Sequence, residues 1–184
     1  MLIIQNLTKN KLYLQNDEII DVSPDIIHEY GLKIGKDISN IYIDVLKASI
    51  KHKALFYIYL KARTKYELIC KLKAKYKQVE YIEEVVEELE KLGYIDDVDY
   101  ALSYIMTHSN SKQKNIFKLM QKGISRSSIE KAYEDAPNEI EDDLLEKEIK
   151  KLQNKNLELA QIIVKLTRKG YAYSKIKKII EIIK

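Results

Sequence analysis

Apolar residues recur at helical spacing over most of the chain and at strand spacing only near its start. From position 46 onward they fall three and four apart, the period of one buried helix face. Breaks in that period divide the stretch into three sets of three helices. The first helices are predicted over 46–60, 98–108 and 140–153, with Leu55 and Ile58, Leu102 and Ile105, and Ile149 and Leu152 on their apolar faces. The second helices are predicted over 65–76, 112–122 and 157–169, and the third over 80–92, 127–136 and 174–183. Ahead of them Leu2–Leu7, Lys11–Leu14 and Glu18–Val22 read as short strands, with turns near Lys9-Asn10 and Asn16-Asp17. Pro24 suits the first turn of a short helix reaching Tyr30, because its fixed φ is already helical. Residues 31–39, GLKIGKDIS, form a loop into the helical sets.

The three sets share one pattern. CKLKAKYKQVEYIEEVVEEL from Cys70, FKLMQKGISRSSIEKAYEDA from Phe117 and VKLTRKGYAYSKIKKIIEII from Val164 align without a gap at a shift of 47 residues. Leu72, Leu119 and Leu166 coincide, as do Ile82, Ile129 and Ile176; Ile69, Ile116 and Ile163; and Val86, Tyr133 and Ile180. A fixed period of this length signals stacked supersecondary units. Gly123 and Gly170 are placed as left-handed residues after the second helix, with Ile124 and Tyr171 folding back as the apolar contact of the cap. Tyr76 holds that position in the first set, so its cap must differ. Thr64 with Glu67 and Ser127 with Glu130 have capping-box spacing. Gly93 ends a helix, and Asp96 and Asp97 open the next. A three-helix unit this small buries little alone. The expected fold is therefore mainly α: three tandem three-helix repeats at 45–95, 96–137 and 138–184 in an elongated, curved array, behind a strand-containing extension at 1–44.

Composition narrows the function classes. Five Gly and two Pro favour long helices over a turn-rich all-β fold. No segment approaches the roughly 20 apolar residues of a membrane span, and the start has no signal-peptide pattern. The single Cys70 excludes an internal disulfide, which fits a reducing cytoplasm; its alignment with Phe117 and Val164 reads it as a buried thiol. His28, His52 and His108 show no metal-ligand spacing, and no P-loop or familiar nucleophile motif is present. No cofactor, metal or enzymatic activity is expected. Tyr94, Tyr100 and Tyr104 read as core or helix-boundary residues.

Net charge is only +4, but it alternates in blocks: +6 over 61–77, −8 over 78–99, +5 over 100–133, −7 over 134–149 and +8 over 150–184. Ion pairs between neighbouring helices would produce this pattern. So would basic helix faces meeting nucleic acid or an acidic partner.

Leu92-Gly93-Tyr94-Ile95-Asp96-Asp97 followed by Tyr100-Ala101 resembles the signature of the RecX family. Arg63-Thr64, Glu67-Leu68, Lys71-Leu72 and Lys75 resemble the family's upstream pattern, and Ile116, Leu119 and Lys122-Gly123-Ile124 its second-repeat pattern. The likeness spans nearly the whole chain and is weaker after Pro137. The signature itself reads as architecture: Leu92 and Ile95 pack, Gly93 terminates, and the aspartates cap. One departure concerns HSNSKQKN at 108–115, where the family often has several Arg with Gly-Pro; only Arg63, Arg126 and Arg168 occur in this chain. Lysine supplies a point charge rather than arginine's planar fork.

The resemblance implies a monomeric regulator that lies in the groove of a RecA filament on single-stranded DNA, restraining filament growth, strand exchange and RecA-promoted repressor cleavage. The partner or DNA-binding residues expected on this reading are the recurrent pairs Lys71/Lys75, Lys118/Lys122 and Lys165/Lys169, with Arg63, Lys112, Lys114, Arg126 and Arg168. Ordinary boundary lysines, whose stems pack while their heads reach water, would show the same placement. A DNA-binding module independent of RecA and a helical protein-interaction scaffold are the other function classes.

Overall fold

Thirteen elements follow one another in the computed structural model, which describes residues 1–137 and 139–183. They are β1 (Ile4–Leu7), β2 (Lys11–Leu14), β3 (Ile19–Asp21), α1 (Pro24–Glu29), α2 (Tyr42–Leu60), α3 (Lys65–Lys73), α4 (Val79–Lys91), α5 (Asp97–Thr107), α6 (Lys112–Gln121), α7 (Arg126–Asp135), α8 (Ile140–Gln153), α9 (Leu159–Arg168) and α10 (Tyr173–Ile183). Helices α3, α6 and α9 begin 47 residues apart, and so do α4, α7 and α10. The chain divides into two compact units, Met1–Ile95 and Asp96 onward. The bounds expected for the third repeat, Asn138 and Lys184, lie outside the described residues.

In the first unit the strands form an antiparallel sheet in the order β1-β2-β3, with Leu12 opposite both Leu7 and Ile20. The free side of β1 is partly closed by the loop predicted at 31–39: Ile4 N–H donates to Lys36 O at 2.9 Å, and Gly35 N–H to Ile4 O at 2.8 Å. Leu12, Leu14 and Ile20 share one core cluster with Val45, Leu46 and Ile50 of α2, Leu68 and Leu72 of α3, and Ile82, Val86 and Leu89 of α4. The sheet thus supplies one wall of the core of the first helical set. Tyr42 OH donates to Glu18 Oε1 at 2.7 Å, and Gln78 Nε2 donates to the same oxygen at 3.2 Å, tying the β2–β3 turn to α2 and the start of α4.

The second unit has two separate cores. One gathers Ala101, Ile105, Leu119, Ile124, Ile129 and Ala132; the other gathers Leu145, Ile149, Leu152, Ile162, Leu166, Tyr171, Ile176, Ile179 and Ile180. The predicted glycine caps are present. Gly123 and Gly170 have φ of 80° and 91°, and Ile124 N–H and Tyr171 N–H return to Leu119 O and Leu166 O. Both residues after the glycines are buried. In the first set α3 instead ends at Lys73, and Tyr76 folds inward with its hydroxyl against Ser49.

Four local expectations are corrected. Helix α2 starts at Tyr42 rather than 46, because Val45 and Leu46 already face the core. Ser125, not Ser127, caps α7: its Oγ accepts from Ser128 N at 3.1 Å, directly after Ile124 anchors the chain. Leu92 does not pack inward but is 58% exposed, since the turn at Gly93 directs only Ile95 into the core. Cys70 is exposed, as are Phe117 and Val164, because Leu68 and Leu72 take the buried face of α3.

Candidate functional site

The residues of Leu92–Asp97 build a helix junction. Gly93, at φ 77°, ends α4, with Tyr94 N–H donating to Leu89 O at 2.9 Å. The Asp96 carboxylate then caps α5, accepting from Val98 N at 2.8 Å and Asp99 N at 3.0 Å. Asp97 opens the first turn, Ala101 is buried, and Tyr94 is exposed at the boundary. Tyr100 packs against the second-unit core and receives the Lys122 ammonium 5.4 Å from its ring centroid. Tyr104 stacks on His108 at 3.7 Å between ring centroids.

The candidate cations fall into two groups. In the first group, each cation is held by a neighbouring group of the protein. Arg63 Nε donates to Tyr57 O at 3.3 Å, and its guanidinium lies 5.9 Å from the Tyr57 ring; Lys71 approaches the same ring at 5.3 Å. Lys112 Nζ sits 4.6 Å from the Tyr133 ring, Arg126 pairs with Glu130 at 2.9 Å, and Lys169 pairs with Glu148 at 2.9 Å. Lys114 Nζ donates to Arg168 O at 2.6 Å, bringing α6 to the end of α9. In the second group Lys75, Lys118, Lys165 and Arg168 are exposed and have no carboxylate partner among the described residues.

The α6–α9 contact has a backbone requirement. Ser111 N–H donates to Lys169 O at 3.1 Å, and a Cβ added to Gly170 would stand 2.5 Å from Ser111 Oγ. Glu141 accepts from Lys112 N at 2.8 Å at the start of α6 and also binds Lys175. Burial opposes the Lys175 ammonium, but its hydrogen bonds to Asp142 and Glu141 outweigh that cost and hold its pKa above the usual lysine value. Surface groups with these partners orient the junction more than they stabilise it.

Part of the acidic block at 78–99 is taken up by the same kind of pairing. Glu84 and Glu88 of α4 bind Lys47 and Lys51 of α2, and Glu90 and Glu83 bind Lys65 and Lys73 of α3. The outward faces of the second helices carry what sequence reasoning missed. Phe117, Met120, Leu159 and Val164 are exposed beside Lys118 and Lys165, as Tyr66 and Cys70 are beside Lys71. The available signal was apolar residues on both sides of these short helices, more than one buried face requires. Among the described residues no cluster of His, Cys, Asp and Glu could hold a metal ion, and no helix is long and apolar enough to cross a membrane.

No family model matches the chain. Regulatory protein RecX of Streptococcus sanguinis strain SK36 is 30% identical over 186 residues, which cover 92% of this chain and 72% of that protein. A crystal structure of regulatory protein RecX aligns with 98% of this chain and 100% of its own at 25% identity and a TM-score of 0.57. The crystal structure of RecX from Lactobacillus salivarius aligns with 73% of this chain and 94% of its own at 26% identity and a TM-score of 0.60.

Proposed function

The chain belongs to the RecX family, and from that we propose that it binds RecA assembled on single-stranded DNA and restrains the filament's growth, strand exchange and promotion of repressor cleavage. The observation that supports this reading is the repeated outward face of the second helices. Cys70-Lys71, Phe117-Lys118 and Val164-Lys165 recur 47 residues apart, each pairing an exposed side chain with an exposed lysine. A filament presents one subunit surface again and again, so a partner with one face per repeat can meet several subunits with the same chemistry. Apolar side chains supply contact area at such an interface, while lysines steer and set register.

Of the cations expected at the interface, Lys75, Lys118, Lys165 and Arg168 are the main contacts on this reading. Arg63, Lys71, Lys112, Lys114, Lys122, Arg126 and Lys169 serve first to hold the helices that present them. The test is titration of the protein into RecA, single-stranded DNA and ATP while following filament assembly and ATP hydrolysis. The unsubstituted chain inhibits both; Phe117→Ala with Lys118→Gln weakens inhibition without loss of helicity. Unchanged inhibition by that variant would remove the second-helix face from the interface, and no inhibition by the unsubstituted chain would remove RecA as the partner.

A further inference from the structure

The C-terminal half of α2 carries an aromatic and cationic cluster that its counterparts lack. Phe56, Tyr59 and Leu60 are exposed by 48%, 90% and 59%. The Phe56 ring lies 6.0 Å from the Tyr57 ring and 5.6 Å from Lys53 Nζ, while Tyr57 is flanked by Lys71 and Arg63. One repeat later the positions of Phe56, Tyr57 and Tyr59 hold Ser103, Tyr104 and Met106; two repeats later they hold Lys150, Lys151 and Gln153.

Charge divides α2 in two. Lys47, Lys51 and Lys53 are neutralised by Glu84, Glu88 and Asp21. Lys61, Arg63 and Lys71, around the aromatic end, have no carboxylate partner among the described residues. Three unneutralised cations exceed the partial negative charge of about half a unit at a helix C-terminus, so this end attracts anions.

We propose that the C-terminal end of α2 is a stacking platform for single-stranded nucleic acid. Unpaired bases offer flat apolar faces to Tyr59 and Phe56, and the backbone phosphates meet Lys61, Arg63 and Lys71. Stacking of this kind accepts any base, so the contact is tolerant of sequence. Duplex DNA hides its base faces and can engage only the cations. This contact does not require RecA; it shares Lys71 with the Cys70-Lys71 face of α3 and is set apart from that face by Phe56, Tyr59 and Lys61.

Fluorescence anisotropy of a labelled oligodeoxythymidine with the full chain, in the absence of RecA, tests the platform. Tyr59→Ala weakens binding roughly five-fold or more, the loss typical of one stacked base, while Tyr59→Trp keeps it and Tyr94→Ala, which alters an exposed tyrosine outside the cluster, leaves it unchanged. Lys61→Gln reduces the dependence of binding on salt, whereas Tyr59→Ala does not. Circular dichroism confirms that each variant is folded. Absence of binding by the unsubstituted chain, equal loss from Tyr94→Ala, or tighter binding of duplex than of single strand would overturn the proposal. So would a change in oligomeric state on Tyr59→Ala with DNA binding unaltered, which would make the patch a contact between copies of this chain.

Discussion

The two units solve the same packing problem with different resources. The first adds a three-stranded sheet to its helical set and builds one continuous core; the second has helices alone and divides its buried residues between two small clusters. Their tyrosines show the difference in polar detail. Tyr76 is buried with its hydroxyl bonded to Ser49, whereas Tyr171, at the corresponding end of a second helix, buries a hydroxyl with no hydrogen-bond partner among the described residues. A larger core accommodates a satisfied polar group more readily than a small one built for shape. The second unit relies instead on close backbone approach at Gly170.

Truncation of a core leucine should separate the units most strongly. Leu119→Ala is expected to cost about 2–5 kcal/mol and to remove hydrogen-exchange protection over 97–135 while 1–95 keep theirs. Leu68→Ala should do the reverse; protection lost throughout in either variant would show that the units unfold together. Next come the glycines. Gly93→Ala meets only the left-handed backbone penalty, roughly 1–2 kcal/mol, since nothing lies within 4 Å of its added Cβ. Gly170→Ala adds the collision with Ser111 and should lower the melting temperature further; equal shifts would mean that Ser111 yields freely.

Smaller effects should follow at the tyrosines. Tyr76→Phe is expected to lose about 1 kcal/mol, the net value of a satisfied hydrogen bond, while Tyr171→Phe loses nothing and gains slightly. Burial, with Asp21 nearby, pushes the Tyr76 pKa up to about 12 despite the Ser49 hydrogen bond, which favours ionisation. Its folded pKa is raised, so the neutral phenol contributes stability below pH ~10 that is lost as pH rises toward ~12. Denaturation across that window should show a shallower decline in Tyr76→Phe. Least of all, Lys51→Gln should change stability by no more than about 0.5 kcal/mol, because the Lys51–Glu88 pair is exposed.

Much of this contrast was legible in sequence, because caps and glycines report on the backbone locally. The 47-residue register placed the starts of the second and third helices of each set to within two residues, and Gly123 and Gly170 marked the ends of α6 and α9 through a conformation that other residues resist. Asp96 announced α5 by the same local logic. Cys70 was misread because α3 is short and has apolar residues on two sides, so periodicity alone could not choose the face that Leu68 and Leu72 bury. Leu92 was misplaced because a left-handed turn redirects the following side chains in a way that spacing does not encode. The α2 cluster escaped notice for a different reason: its cations are distinguished by which carboxylates they lack, and those partners come from α4 and β3, far away in sequence.

The sheet that enlarges the first core has a consequence for the order in which the chain folds. Joining Gln78 to Glu18 spans 60 residues, and closing β1 against the 31–39 loop joins Leu2 to Ile38. In the second unit each core closes within one short helical set. Loop-closure entropy must be overcome before distant contacts form, and chains rich in local contacts cross that barrier faster. Stopped-flow refolding with pulsed hydrogen exchange should therefore protect amides in α5–α7 and α8–α10 before those in β1–β3, making the unit with the weaker core the earlier to form.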